Sequence, residues 1–122
     1  MIPRKRVRPK MGVRSSPWIR SQPHKAFVRG RECAIKDLNG HVCEGRYDPA
    51  HVRSGTDGCG EEKPSDCWLI CLCRAAHNEQ HRIGEPAFER KYRIDMKAIA
   101  SSLWRISPAG VRYRAKQARE GK

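Results

Sequence analysis

Residues 73–81 read CRAAHNEQH, and they set two histidines four apart behind a cysteine in a chain with only five histidines. On a helix that spacing projects both imidazoles from one face, as a two-ligand clip for a divalent metal. Asn78 follows the first histidine where zinc metalloproteases carry a glutamate, so the pattern is not theirs. A solvated helix face shows the same spacing by chance, and the pair alone does not decide between the two. His51, in YDPAHVRSG, lies between a strand-like segment and a glycine-rich loop. A histidine there is commonly an ordinary surface residue. A phosphodiesterase, however, needs a neutral imidazole to take a proton from water beside a metal-bound phosphate, and histidine titrates near the working pH.

The six cysteines are Cys33, Cys43, Cys59, Cys67, Cys71 and Cys73. No two are spaced CxxC, and Cys71-Leu-Cys73 leaves one residue between them, so spacing alone is a weak zinc signal. Asn39-Gly40 between short apolar stretches is a two-residue hairpin signal. The hairpin would bring Cys33 and Cys43 onto neighbouring strands, where Cys73 at the start of the helix could join them around a structural Zn²⁺. Cys67 and Cys71 sit in the apolar run and read equally well as buried apolar residues. A disulfide framework is the lesser alternative, since thiols stay reduced in a chain that is not exported.

The elements that must position these groups follow from pattern. Residues 1–23 carry four prolines and many arginines, the composition of a basic flexible arm. Residues 24–31 (HKAFVRGR) suit a short basic strand or helix. Residues 53–66 are polar and glycine-rich, hence a loop, and CWLICL is a buried strand or the lead-in to a helix. Residues 75–82 lack breakers and suit a helix ended near Gly84. Between 86 and 104, Phe88, Tyr92, Met96, Ile99 and Leu103 recur at three- and four-residue steps, as one amphipathic helix or two broken near Asp95. Residues 106–122 read as a basic, frayed tail, which leaves 24–105 as the folded domain.

Charge is unevenly spread over the 122 residues, whose formal net charge is +13. Residues 1–31 hold ten Lys/Arg and no acid, residues 32–85 hold six basic and ten acidic residues, and residues 86–122 hold ten basic and three acidic. Basic flanks around an acidic, Cys/His-containing centre most simply meet phosphate, because neutralising phosphates releases counterions. A solvated or ribosome-associated tail is the plainer explanation of such flanks. No apolar run approaches the ~20 residues that span a bilayer, and the charged start lacks the apolar segment of a secretory signal. The expected compartment is the cytoplasm.

In order, Cys33…Cys43…AHVRSG…KPSD…CLC…His77…Gln80-His81…Gly84…Phe88 resembles the HNH endonucleases, nearest to the small phage and prophage group related to the RecA-dependent nuclease. The match runs over about residues 24–92. It implies an α+β fold with a small ββα-metal (His-Me finger) core, an extra C-terminal helix and basic flexible termini. It also implies a metal-dependent hydrolase of DNA phosphodiesters, encoded by a bacterium or phage. In that scheme His51 is the general base, and His77 and His81 hold the catalytic Mg²⁺, Mn²⁺ or Zn²⁺. Cys33, Cys43 and Cys73 are structural zinc ligands, and Asp66 of the KPSD loop supports the base. Arg53, Arg74 and Arg82 are candidate phosphate contacts on duplex DNA bound without sequence preference. Recombinase or other phage partners are unspecified. Three positions depart from the family. Ala76 stands where relatives often carry a fourth zinc ligand, Ala50 where many carry a metal ligand, and Cys71 where proline is usual. Cys71, Cys67 or Cys59 could complete the zinc site. The alternative function is a non-catalytic, zinc-stabilised DNA- or RNA-binding module, and a ribosome- or RNA-associated protein is the third reading.

Overall fold

The computed structural model describes residues 18–58 and 62–120. It is an α+β fold with five helices and one two-stranded antiparallel sheet among the described residues. Strand β1 (Tyr47–His51) pairs with β2 (Leu69–Cys73) so that Tyr47 faces Cys73 and His51 faces Leu69. β1 alternates half-buried and buried positions, whereas every residue of β2 is buried. That difference follows from packing, because helices α1 (Gln22–Arg29) and α4 (Met96–Ile106) both contact β2.

Each helix has a local reason to start and stop. Ser21 caps α1 by accepting a hydrogen bond from the His24 N–H at 3.1 Å, and Pro23 sits in the first turn. Helix α2 (Arg74–Ile83) follows β2 directly. The Cys73 sulfur accepts the Ala76 N–H, and Gly84, at φ 87°, provides the turn that ends the helix. α3 (Glu85–Tyr92) closes on Arg93 in the left-handed region, and Asp95 caps α4 through the Ala98 N–H. The 86–104 periodicity is therefore two helices, broken beside Asp95. The core is built from Ile35, Val52, Ile70, Leu72, Phe88 and Met96, all essentially inaccessible. Full burial of side chains this size contributes roughly 1.5–3 kcal/mol each.

Three expectations are corrected. Residues 108–120 are not a frayed tail but helix α5 (Pro108–Glu120). Pro108 opens it, the Ser107 hydroxyl accepts the Gly110 N–H at 3.0 Å, and Gly110 lies so close to α4 that a Cβ there would stand 1.8 Å from the Trp104 carbonyl oxygen. The Asn39-Gly40 turn exists, but no strands flank it. Asp37, Asn39 and Gly40 all have positive φ, and residues 33–41 close a series of short turns instead of pairing as a hairpin. Residues 18–21 are held against the KPSD loop, with Asp66 N–H donating to the Ile19 carbonyl and Ile19 N–H to the Ser65 hydroxyl. Most of the N-terminal arm, residues 1–17, lies outside the described residues. No helix among the described residues is long and apolar enough to cross a membrane.

Candidate metal centres at the two ends of the strand pair

At the Tyr47/Cys73 end of the sheet, the turns of residues 33–43 fold back onto the start of α2. Cys33, His41, Cys43 and Cys73 each bring one ligand atom into a group whose members all lie within 4.8 Å of one another. Cys33 and Cys73 are buried and the other two half-buried. The His41 Nε2 stands 3.3 Å from the Cys73 sulfur, and the Cys33 sulfur accepts the Cys73 N–H at 3.4 Å. Ligands at ~2.1 Å (N) and ~2.3 Å (S) from one tetrahedral ion would sit about 3.5–3.8 Å apart. A three-sulfur, one-nitrogen group of this compactness can hold a metal ion such as zinc. Burial together with the Cys33 and Cys73 sulfurs pushes the Cys43 thiol up to about 12. Burial also raises Cys73, but hydrogen bonds from the backbone at Ala76 and Glu44 and from the neighbouring thiols outweigh it and hold Cys73 below its ordinary value. Crowded thiols of this kind become thiolates together only around a cation.

Cys33, Cys43 and Cys73 meet as expected, but the fourth member is His41, which the sequence reading missed. Cys71 does not complete the group, because its sulfur donates to the Arg31 carbonyl at 3.2 Å. Nor does Cys67, whose thiol burial pushes up to about 11. Cys59 lies outside the described residues. The five described cysteines are free thiols.

At the other end of β1, a cavity of about 650 Å³ is lined by His51, His77 and His81. α2 carries the two helix histidines beside its buried stripe of Ala76 and Gln80, so both rings stay on the rim of the core. Their Nε2 atoms stand 3.2 Å apart. Two nitrogens bound at ~2.1 Å to one tetrahedral or octahedral ion sit about 3.0–3.4 Å apart, so the pair fits a divalent metal as it stands. His77 Nδ1 is 3.1 Å from Asp48 Oδ2. Arg74 grips the same carboxylate at 2.7 and 3.2 Å. Arg74, and after it His77, hold Asp48 down at about 2, although burial opposes them. An ionised carboxylate only accepts, so the His77 proton stays on Nδ1 and its Nε2 lone pair points at His81.

His51 is positioned differently. Its Nε2 lies 3.0 Å from Oδ1 of Asp66, which is buried and also accepts the Ser21 N–H at 2.7 Å and faces Arg20 at 3.6 Å. Asp57 sets that loop by accepting both the N–H and the hydroxyl of Ser65. With Nε2–H directed at Asp66, Nδ1 of His51 is the acceptor. Burial lowers the His51 pKa below its ordinary value, against the pull of Asp66, which favours the neutral ring.

The remaining candidates divide. Arg53 lines the cavity, and its guanidinium reaches the Glu62 carbonyl. Arg74 is engaged by Asp48 and is not available for phosphate, and Arg82 does not line the cavity. Ala50 is fully buried on the face of β1 opposite His51, so its alanine is a core residue. Asp48, two residues earlier, is the acidic group that reaches His77. In the sequence its two-residue strand spacing from Ala50 is the available signal. No family model, curated protein or solved structure matches this chain.

Proposed function

We propose that the protein is a metal-dependent endonuclease of the HNH type, hydrolysing DNA phosphodiesters in the cavity between β1 and α2. The observation that carries this reading is the meeting of three imidazoles in one cavity with different partners. Two converge on each other through their Nε2 atoms, and the third is turned by a buried carboxylate. Asp66 keeps the His51 proton on Nε2, so Nδ1 receives a proton from water. Asp48 keeps the His77 proton on Nδ1 and fixes the ring that, with His81, would hold the metal. That ion, when bound, would supply charge stabilisation for the phosphate and the leaving 3′ oxygen. The lowered His51 pKa keeps the base ready at neutral pH.

The order of chemistry-bearing residues along the two strands and helix supports the same class, as does the basic charge of the chain. A non-catalytic nucleic-acid module accounts for the Cys/His cluster and the charge. It gives no reason for an Asp66-oriented histidine beside a converging histidine pair. The test is cleavage of supercoiled plasmid in Mg²⁺ or Mn²⁺ by the native protein and by His51→Ala. The native protein should relax or linearise the plasmid, and the variant should be slower by ~10²-fold or more. Equal rates would remove His51 from the reaction. A native protein inactive in every divalent metal would return the molecule to the binding-module class.

A further inference from the structure

Lys25 and Arg29 lie four residues apart on α1, hence on one face, and both line the cavity that holds His51, His77 and His81. Lys63, from the loop that leads to Asp66, lines it as well. None of these three side chains makes an ion pair or a hydrogen bond among the described residues. The acids nearby are already committed. Asp48 is held by Arg74 and His77, and Asp66 by His51 and Ser21. Glu85, the acidic residue among the described lining, receives the backbone N–H groups of Arg53 and Ser54 at 2.8 and 2.7 Å. Three cations thus line a cavity whose acidic lining residue, Glu85, is turned to backbone N–H groups and forms no ion pair with any of them.

Their position is tied to the histidines. Ser21, the cap of α1, donates its N–H to one oxygen of Asp66 while the other oxygen takes His51. The cationic face of α1 is therefore set relative to His51 through a single carboxylate.

We propose that Lys25, Arg29 and Lys63 form a second phosphate subsite, which holds the sugar–phosphate backbone next to the phosphodiester presented to the histidines. The ligand class is a nucleic-acid strand, bound through phosphate oxygens without reading bases. The subsite rests on the nuclease reading for its role in cleavage but not for its binding of phosphate.

The experiment measures anisotropy of a fluorescein-labelled 20-base-pair duplex across a salt series, in a His51→Ala background that keeps the duplex intact. Lys25→Ala/Arg29→Ala should weaken binding about tenfold or more and reduce the slope of log K against log salt by roughly 2. Lys25→Gln/Arg29→Gln, which keeps side-chain bulk, should do the same with unchanged far-UV circular dichroism and zinc content. Arg112→Ala/Arg119→Ala removes equal charge from α5 and should cost less than threefold. Binding within twofold of the parent, or equal losses from the α1 and α5 variants, would overturn the subsite. Duplex cleavage in Mn²⁺ is scored alongside, with His51 intact. Its absence refutes the nuclease reading, while the binding data decide the subsite separately.

Discussion

The two ends of the β1–β2 pair both gather histidines but arrange them differently. At the Tyr47/Cys73 end, three sulfurs and one imidazole close around one point, drawn from a turn-rich loop and a helix start. At the His51/Leu69 end, imidazoles line an open cavity and lean on carboxylates behind them. Four protein ligands leave an ion no free position, whereas two leave room for water and phosphate. The two ends are joined through α2, whose cap Cys73 belongs to the cluster while its His77 and His81 line the cavity. In the proposed function, ligand number and burial, more than the presence of histidine or cysteine, divide a stabilising centre from a reactive one.

The comparison breaks first at the cluster. Cys73→Ser or a strong chelator should abolish cooperative thermal unfolding, since residues 33–43 contain no strand or helix to hold them in its place. A transition preserved within about 3 °C would show that the cluster contributes little, since ~1 kcal/mol shifts a domain of this size by several degrees. His51→Ala should leave that transition in place and reduce cleavage by ~10²–10⁴-fold. Asp48→Asn is the finer probe of the open end. It should raise the Mn²⁺ concentration for half-maximal cleavage by about 10–100-fold without changing zinc content.

The smallest effect is in pH. The His51 pKa is lowered, chiefly by burial, so the base form is favoured at neutral pH and is lost as pH falls through a value below the ordinary histidine range. Cleavage should be flat from pH 7 upward and decline in acid. Asp66 pulls the pKa upward, so Asp66→Asn should shift the acid limb to lower pH while reducing the plateau roughly tenfold or more. A limb that moves upward would contradict the assigned partner.

Much of this was legible in the residues because it depends on local spacing. His77 and His81 share a helix face, Gly84 stops that helix, and Asp95 divides the two that follow. What was not legible depends on contacts distant in sequence. His41 belongs to the cluster because three left-handed residues turn the chain back toward Cys73, and Asn39-Gly40 looked instead like the tip of a hairpin. The nearby His41-x-Cys43 pair was the available signal. Arg74 reads as a free cation until β1 places Asp48 beside it. α5 reads as a solvated tail, since the fit of Gly110 against Trp104 leaves no periodic trace.

The most direct measurement pairs two readouts on one variant. His77→Ala/His81→Ala, purified beside the native protein, is assayed for zinc content and for plasmid cleavage in Mn²⁺. The account predicts one zinc per chain in both proteins and cleavage lost in the variant alone. Zinc lost together with activity, or cleavage retained without the two histidines, would contradict it.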